Sequence, residues 1–156
     1  MNYSECIENA RTRIGNYCKA CPECNGRACK NQMPGPGAKG IGDTAIRNYD
    51  KWKEIRVQMD TIAENKPVDT SLELFGKKFL YPFFAGPVGA VGLHYGDCLD
   101  DVRYNDILVS ACAKYGIAAF TGDGLDSNVM VAATKAIGKT DGIGIPTVKP
   151  WNIDTV

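Results

Sequence analysis

The sequence predicts an α/β fold made of parallel βαβ units, on three observations. From residue 79 onward, apolar runs alternate with segments of helical period in the order strand, helix, strand, helix, strand. That order with short connections specifies parallel strands joined by crossover helices. Each apolar run then ends in a small or polar cluster, "AGPVGAVG", "TGDG" and "KPW", and ligands of such folds sit beyond the carboxyl ends of the strands. Three strands are fewer than a closed or a complete doubly wound sheet needs. The last of them reaches the end of the sequence without a covering helix, so the chain is expected to be one part of a larger fold.

The elements follow in order. Residues 3 to 17 predict a short helix, with Ile7, Ala10 and Ile14 at helical spacing. A run of cysteines follows, broken by Pro22 and the Asn25-Gly26 pair. "MPGPGAKGIGD" (33–43) is too rich in glycine and proline for helix or strand and is expected to be a loop. It has neither a GK[ST] ending nor a strand before it, as a P-loop requires; a mobile covering loop is the reading taken, over a phosphate nest. "RNYDKWKEIRVQMDTIAEN" (47–65) returns to helical period, with Trp52, Ile55, Met59 and Ile62 on one face, and predicts a surface helix packed on the core.

"SLELFGKKFLYPFFAGPVG" predicts a hairpin arm turning at Gly-Lys-Lys and leading into a buried strand over Phe79–Pro87. "YNDILVSACAKYG" (104–116) predicts a helix ending at Gly116. "IAAFTGDG" (117–124) is a short strand and turn. "DSNVMVAATKAIG" (126–138) is a helix opened by Asp126 or Ser127 and closed by Gly138. "GIPTVKPW" (144–151) is the third strand.

Composition narrows the function classes. The 156 residues carry 18 Lys plus Arg against 18 Asp plus Glu, so no basic footprint for nucleic acid or an anionic membrane is present. No apolar run approaches the roughly 20 residues of a membrane span. The polar N-terminus lacks the apolar centre of a signal peptide, and a cytoplasmic location is the expectation.

Four of the seven cysteines, Cys18, Cys21, Cys24 and Cys29, fall within "CKACPECNGRACK". In a reducing compartment such spacing points to metal or redox chemistry more than to structural disulfides. The C-x2-C-x2-C-x4-C spacing differs from a ferredoxin run and from the paired CxxC of a zinc ribbon. An iron–sulfur cluster or zinc on these four, and simple reduced thiols, both stay open. Asp123 in "TGDG" either orients a ligand or caps the next helix.

"DTSLELFGKKFLYPFFAGPVG", "TGDG" and "IPTVKPW", with the leader "CxxCPxCNGxxC…PGxGxKGxG", resemble the N-terminal half of FMN-dependent α-hydroxy-acid dehydrogenases, in the bacterial branch related to lactate oxidase and glycolate oxidase. The resemblance covers essentially all of the chain. It implies a partial TIM (β/α)8 barrel, about its first three strands, over residues 70–156, preceded by a helical, Cys- and Gly-rich leader over 1–69. It implies FMN, held by Pro87, Val88 and Gly89 after the first strand, Thr121 and Gly122 after the second and Lys149 after the third. Lys149 stands where glycolate oxidase has Gln, and a cation there would favour an anionic reduced flavin. Trp151 falls where other members carry an active-site Tyr that touches substrate.

The family's catalytic His and its neighbouring Arg belong to an "SNHGGR"-like segment that does not occur in these 156 residues. The one histidine, His94 in "VGLHYGD", does not match it and is read as a surface or supporting residue. The resemblance therefore implies oxidation of a small, lactate-like 2-hydroxy acid to a 2-oxo acid, with hydride transfer to the flavin. This chain would supply part of the flavin site and no catalytic base, and would be inactive alone. Its expected partners are that substrate and either a C-terminal half of the barrel or a second copy of itself. The competing class is a non-enzymatic, Cys-rich metal-binding or interaction module.

Overall fold

A computed structural model describes residues 2–15, 17–29, 43–124 and 126–149. The element order is α1 (Tyr3–Arg11), α2 (Asp43–Lys51) with a 3-10 turn (Trp52–Glu54), β1 (Leu72–Leu74), β2 (Lys77–Phe79), α3 (Val91–Tyr95), α4 (Asp101–Lys114) and α5 (Ser127–Lys139). The chain divides into two compact units. The first comprises Met1–Lys66 and Gly92–Cys98; the second comprises Pro67–Val91 and Leu99–Val156.

In the first unit, α1 starts where Asn2 and Glu5 close a reciprocal capping box. The Asn2 side chain accepts the Glu5 N–H at 2.9 Å, and Glu5 accepts the Asn2 N–H at 2.9 Å. Such a box satisfies two donors that a helix start leaves open. The helix ends at Arg11, short of the expected residue 17. The 92–98 segment joins this unit through Gly15 N–H to Tyr95 O at 2.8 Å and Cys98 Sγ to Arg13 O at 3.3 Å.

The expected helix over 47–65 is corrected. It begins earlier, at Asp43, and gives way to the 3-10 turn and then to extended backbone at Ile55. Ile55, Val57, Thr61 and Ile62 are β-branched and lower helix propensity beyond the turn. Its apolar face does not pack on a core: Trp52, Ile55 and Met59 are exposed, and Ile62 is 98% exposed.

The second unit begins with the β1–β2 hairpin, registered Leu72↔Phe79, Glu73↔Lys78 and Leu74↔Lys77. Its turn is Phe75-Gly76, one residue earlier than Gly-Lys-Lys. Both turn residues are left-handed, with φ 54° and 69°, the conformation that matches the twist of a two-residue hairpin. Beyond β2 the run Phe79–Pro87 is not a continuous buried strand. Phe79 is buried, but Leu80, Tyr81 and Phe83 are exposed.

Parallel pairing does occur, as single bridges: Ala85↔Ala119 and Phe120↔Ile145. Ala85 N–H donates to Ala118 O at 3.0 Å and Phe120 N–H to Ala85 O at 2.9 Å. Thr121 N–H donates to Ile145 O at 3.0 Å and Ile145 N–H to Ala119 O at 2.9 Å. Three segments thus lie in chain order, side by side and parallel. The strands expected over 79–87, 117–124 and 144–151 shrink to these bridges, and the described residues do not form a closed barrel.

α4 and α5 cover the segments. Asp100 caps α4 through the Arg103 N–H at 2.6 Å, and Asp126 caps α5 through the Asn128 N–H at 2.9 Å. α4 stops as its sequence predicts: Gly116 is left-handed, its N–H reaches Ala113 O at 3.0 Å and the Ile117 N–H reaches Cys112 O at 3.0 Å. α5 passes through Gly138 and stops at Lys139, with Gly142 N–H closing back on Ile137 O at 3.0 Å. Val109 and Cys112 of α4, Ala136 of α5 and Ala119 of the second segment form the core, with Ala85, Leu108, Ile117 and Ile137 against it. Among the described residues no helix is long and apolar enough to cross a membrane.

Candidate functional site

Two residues past each parallel bridge, the three segments end at the same side of the second unit. Pro87, Val88 and Gly89 follow Ala85; Thr121 and Gly122 follow Ala119; Thr147 and Lys149 follow Ile145. The first two ends meet backbone to backbone. A Cβ on Gly122 would stand 1.9 Å from Val88 O, and one on Gly89 would stand 2.2 Å from Asp123 O. Only glycine fits at either position. The second and third ends are tied by side chains. Thr147 N–H donates to Thr121 Oγ1 at 3.4 Å, and Lys149 N–H donates to the Asp123 carboxylate at 2.7 Å. Asp126 is the cap of α5, so Asp123 is left to brace Lys149.

Two further residues hold this rim, and sequence reasoning did not single them out. Asn105, fully buried on α4, accepts the Gly122 N–H at 2.9 Å and donates to Asp101 O at 2.9 Å. Asp101 in turn accepts the Val91 N–H at 3.0 Å. The signal was present: Asn105, Val109 and Cys112 share the buried stripe of α4, and a polar residue on such a stripe needs buried partners.

The rim offers groups to a ligand. The Val88 and Gly89 N–H groups find no acceptor among the described residues. Thr121 is fully buried and its hydroxyl accepts from Thr147, while its own proton has no acceptor among the described residues. Half-buried and buried donors of this kind require a partner beyond the described residues, whether from the chain, water or a ligand. Lys149 adds an exposed cationic side chain on the third segment.

Comparison with protein families matches residues 35–141 to the family described as FMN-dependent dehydrogenase. The chain belongs to the FMN-dependent dehydrogenase family. It is accordingly a member of an FMN-dependent oxidoreductase family, and the chemistry of the rim suits that cofactor: amide donors, a buried hydroxyl and a cationic residue lie on the ends of neighbouring segments. Comparison with curated proteins gives no match, and comparison with solved structures gives none.

The remaining candidates fall elsewhere. Trp151 and the 33–42 loop lie outside the described residues. His94 sits in α3, half-buried, with its ring 6.1 Å from that of Tyr95. The metal reading of Cys18, Cys21, Cys24 and Cys29 finds no support: among the described residues no group of three or more His, Cys, Asp or Glu could hold a metal ion. Burial, then the charges on Cys29, Cys18 and Cys21, pushes the Cys24 thiol up. All seven cysteines are free.

Proposed function

We propose that the three segment ends form one wall of the FMN site in an oxidoreductase that converts a small, lactate-like 2-hydroxy acid to its 2-oxo acid. The observation that carries this reading is the meeting of Val88–Gly89, Thr121–Gly122 and Lys149 around Asp123 at one end of three parallel segments. Ligand sites of α/β folds lie at that end. Bound FMN would supply acceptance of the substrate's α-hydrogen as hydride.

The chain's own residues would bind and orient. The Val88 and Gly89 amides would donate to the polar edge of a flat ring, from a rim whose first two segment ends meet closely because neither Gly89 nor Gly122 carries a side chain. Pro87 would fix the direction of that segment. The Thr121 hydroxyl would donate its proton, which has no acceptor among the described residues, from a dry position, where such a bond counts for more than in water. Lys149, braced by Asp123, would hold positive charge at the rim.

Proton abstraction is not assigned to this chain. The His and Arg that the resemblance implies are absent from its 156 residues, and His94 is not offered in their place. The chain would therefore hold FMN weakly and turn over substrate only together with the rest of a barrel, from a C-terminal half or a second copy. An apolar groove of about 320 Å³ lined by Tyr81, Phe83, Ala111, Cys112, Tyr115 and Ile117 supports such a partner, as does the exposure of Leu80. The reading keeps the protein in the cytoplasm, where its seven thiols stay reduced.

Titration with FMN, followed by quenching of flavin fluorescence, tests the wall. Thr121→Val and Lys149→Met should each weaken binding about tenfold, close to 1.4 kcal/mol, and Val57→Ala should change nothing. FMN binding that ignores both substitutions, or lactate oxidation by the chain alone, would overturn the assignment.

A further inference from the structure

We propose that Asp101 is a positioning residue for the flavin wall: its carboxylate, acting through Val91, holds Ala90 left-handed and so aims the Val88 and Gly89 amides. The inference rests on the flavin reading and adds to it what sets the direction of those donors.

Ala90 is the strained point of the rim. Its φ of 53° lies in the left-handed region, where a Cβ crowds the backbone and glycine alone is at ease. Gly89 stands beside it, yet the left-handed turn falls on the alanine. Strain of this kind persists only where the surroundings over-determine it, and it gathers at ligand sites.

The surroundings supply a fixed point on each side. Before Ala90, the backbone at Gly89 is pressed against the second segment end, where a Cβ would stand 2.2 Å from Asp123 O. After it, Val91 is buried, and its N–H donates to Asp101 Oδ1 at 3.0 Å. The chain has one residue in which to turn between them. Without the bond to Asp101, Ala90 would relax to an extended or right-handed backbone, and the two amides before it would change direction. A glycine at that position takes the left-handed turn with no clamp.

Asp101 is itself held. It lies in the first turn of α4, next to the Asp100 cap, and its carbonyl accepts from the Asn105 side chain one turn later at 2.9 Å. Asn105 also accepts the Gly122 N–H at 2.9 Å. One turn of α4 therefore grips the first and second segment ends together. The spacing between the Val88–Gly89 amides and the Thr121 hydroxyl is set by a helix. What this asks of residue 101 is an acceptor at the right place; the Val91 N–H is a neutral donor, and a side-chain amide oxygen would serve it as well.

Two readouts on the full chain test the proposal. One is FMN affinity from flavin fluorescence. The other, taken without FMN, is the strong amide-to-α-proton Overhauser effect that a left-handed residue gives within Ala90. Asp101→Ala should abolish that effect and weaken FMN binding about fivefold, the worth of one hydrogen bond. Asp101→Asn keeps an acceptor and should keep both. Adding Ala90→Gly to the Asp101→Ala chain should recover most of the lost affinity. Hydrogen exchange at Val109 and Cys112 should stay constant throughout, which separates release of the rim from loss of the helix. The proposal is overturned if Asp101→Ala keeps the Overhauser effect, if FMN affinity ignores its loss, or if exchange in α4 quickens with it. It is equally overturned if Asp101→Asn does as much damage as Asp101→Ala, or if Ala90→Gly rescues nothing. An unsubstituted chain that binds no FMN would overturn the flavin reading and this proposal with it, and the Overhauser effect would still report whether Asp101 holds Ala90.

Discussion

The two units are built by different physics. In the first, apart from the bonds that tie 92–98 to Arg13 and Gly15, the ties run between near neighbours or exposed side chains: a capping box at Asn2, an Arg27–Asp50 pair, two tyrosine hydroxyls on a cysteine loop. In the second, the decisive contacts join residues far apart in sequence. Ala85 meets Ala119, Phe120 meets Ile145, Gly122 meets Val88 and Asn105, and Val109 packs into a shared core. The second unit can therefore hold donors in fixed directions at a rim. Since the units need not unfold together, each prediction is read locally, by hydrogen exchange, and not from one global transition.

The largest effect is expected where the second unit is tightest. Gly122→Ala would drive a Cβ to 1.9 Å from Val88 O, backbone that cannot step aside, and should cost about 3 kcal/mol or more. Gly138→Ala is its opposite. That glycine lies inside α5 with open space around its would-be Cβ, and alanine there should add up to about 1 kcal/mol. Equal responses of α5 exchange to the two changes would erase the distinction between a glycine needed for contact and one merely tolerated.

Asn105→Ala comes next. It removes the acceptor of the Gly122 N–H and the donor to Asp101 O, leaving buried groups unpaired, at about 2 kcal/mol. The matching change in the first unit, Arg27→Ala, breaks an exposed ion pair and should cost well under about 1 kcal/mol. A loss at Arg27 as large as at Asn105 would mean that the first unit relies on electrostatics more than its exposure allows.

What was legible in the sequence divides along the same line. The caps at Asp126 and Gly116, the hairpin, and the order of the three parallel segments follow from local chemistry and period, and all are present. The family was legible too, from motifs at segment ends. The long helix over 47–65 was not, because an apolar period shows which face would pack but not whether anything is there to pack against; Trp52 and Ile62 carry the pattern and stay exposed. Strand lengths failed for a related reason. "FLYPFFAG" is apolar enough for a buried strand, yet burial depends on neighbours that the described residues do not provide. Asn105 could be placed only once Gly122 was seen across from it.

A smaller effect tests the local side of the comparison. Asn2→Ala removes the acceptor of the Glu5 N–H and half of the capping box, and should cost α1 about 1 kcal/mol. Exchange in α4 should not change. Asn2→Ser keeps an acceptor at the cap and should recover most of the loss.

The smallest expected effect is a dependence on alkaline pH confined to the second unit. Cys112 is buried in the core, and burial pushes its thiol up, because the thiolate is poorly solvated there. A folded-state pKa above the unfolded value means that the unfolded chain gives up its proton first as pH rises. The stability linked to Cys112 is therefore fully present below the unfolded thiol value, about 8.5, and is lost as pH climbs through the folded value. Tyr104 adds to the same slope at higher pH, since burial first, and then the charge on Cys112, pushes its hydroxyl up. Exchange of α4 amides, corrected for the intrinsic pH dependence, should show flat stability at neutral pH and a decline beyond it. Cys112→Ala should lower the plateau by removing core packing and also flatten the early part of the decline, while Tyr104→Phe should flatten only the later part. A decline that persists unchanged in both variants would assign the alkaline loss to other groups and leave the core of the second unit without its titrating thiol.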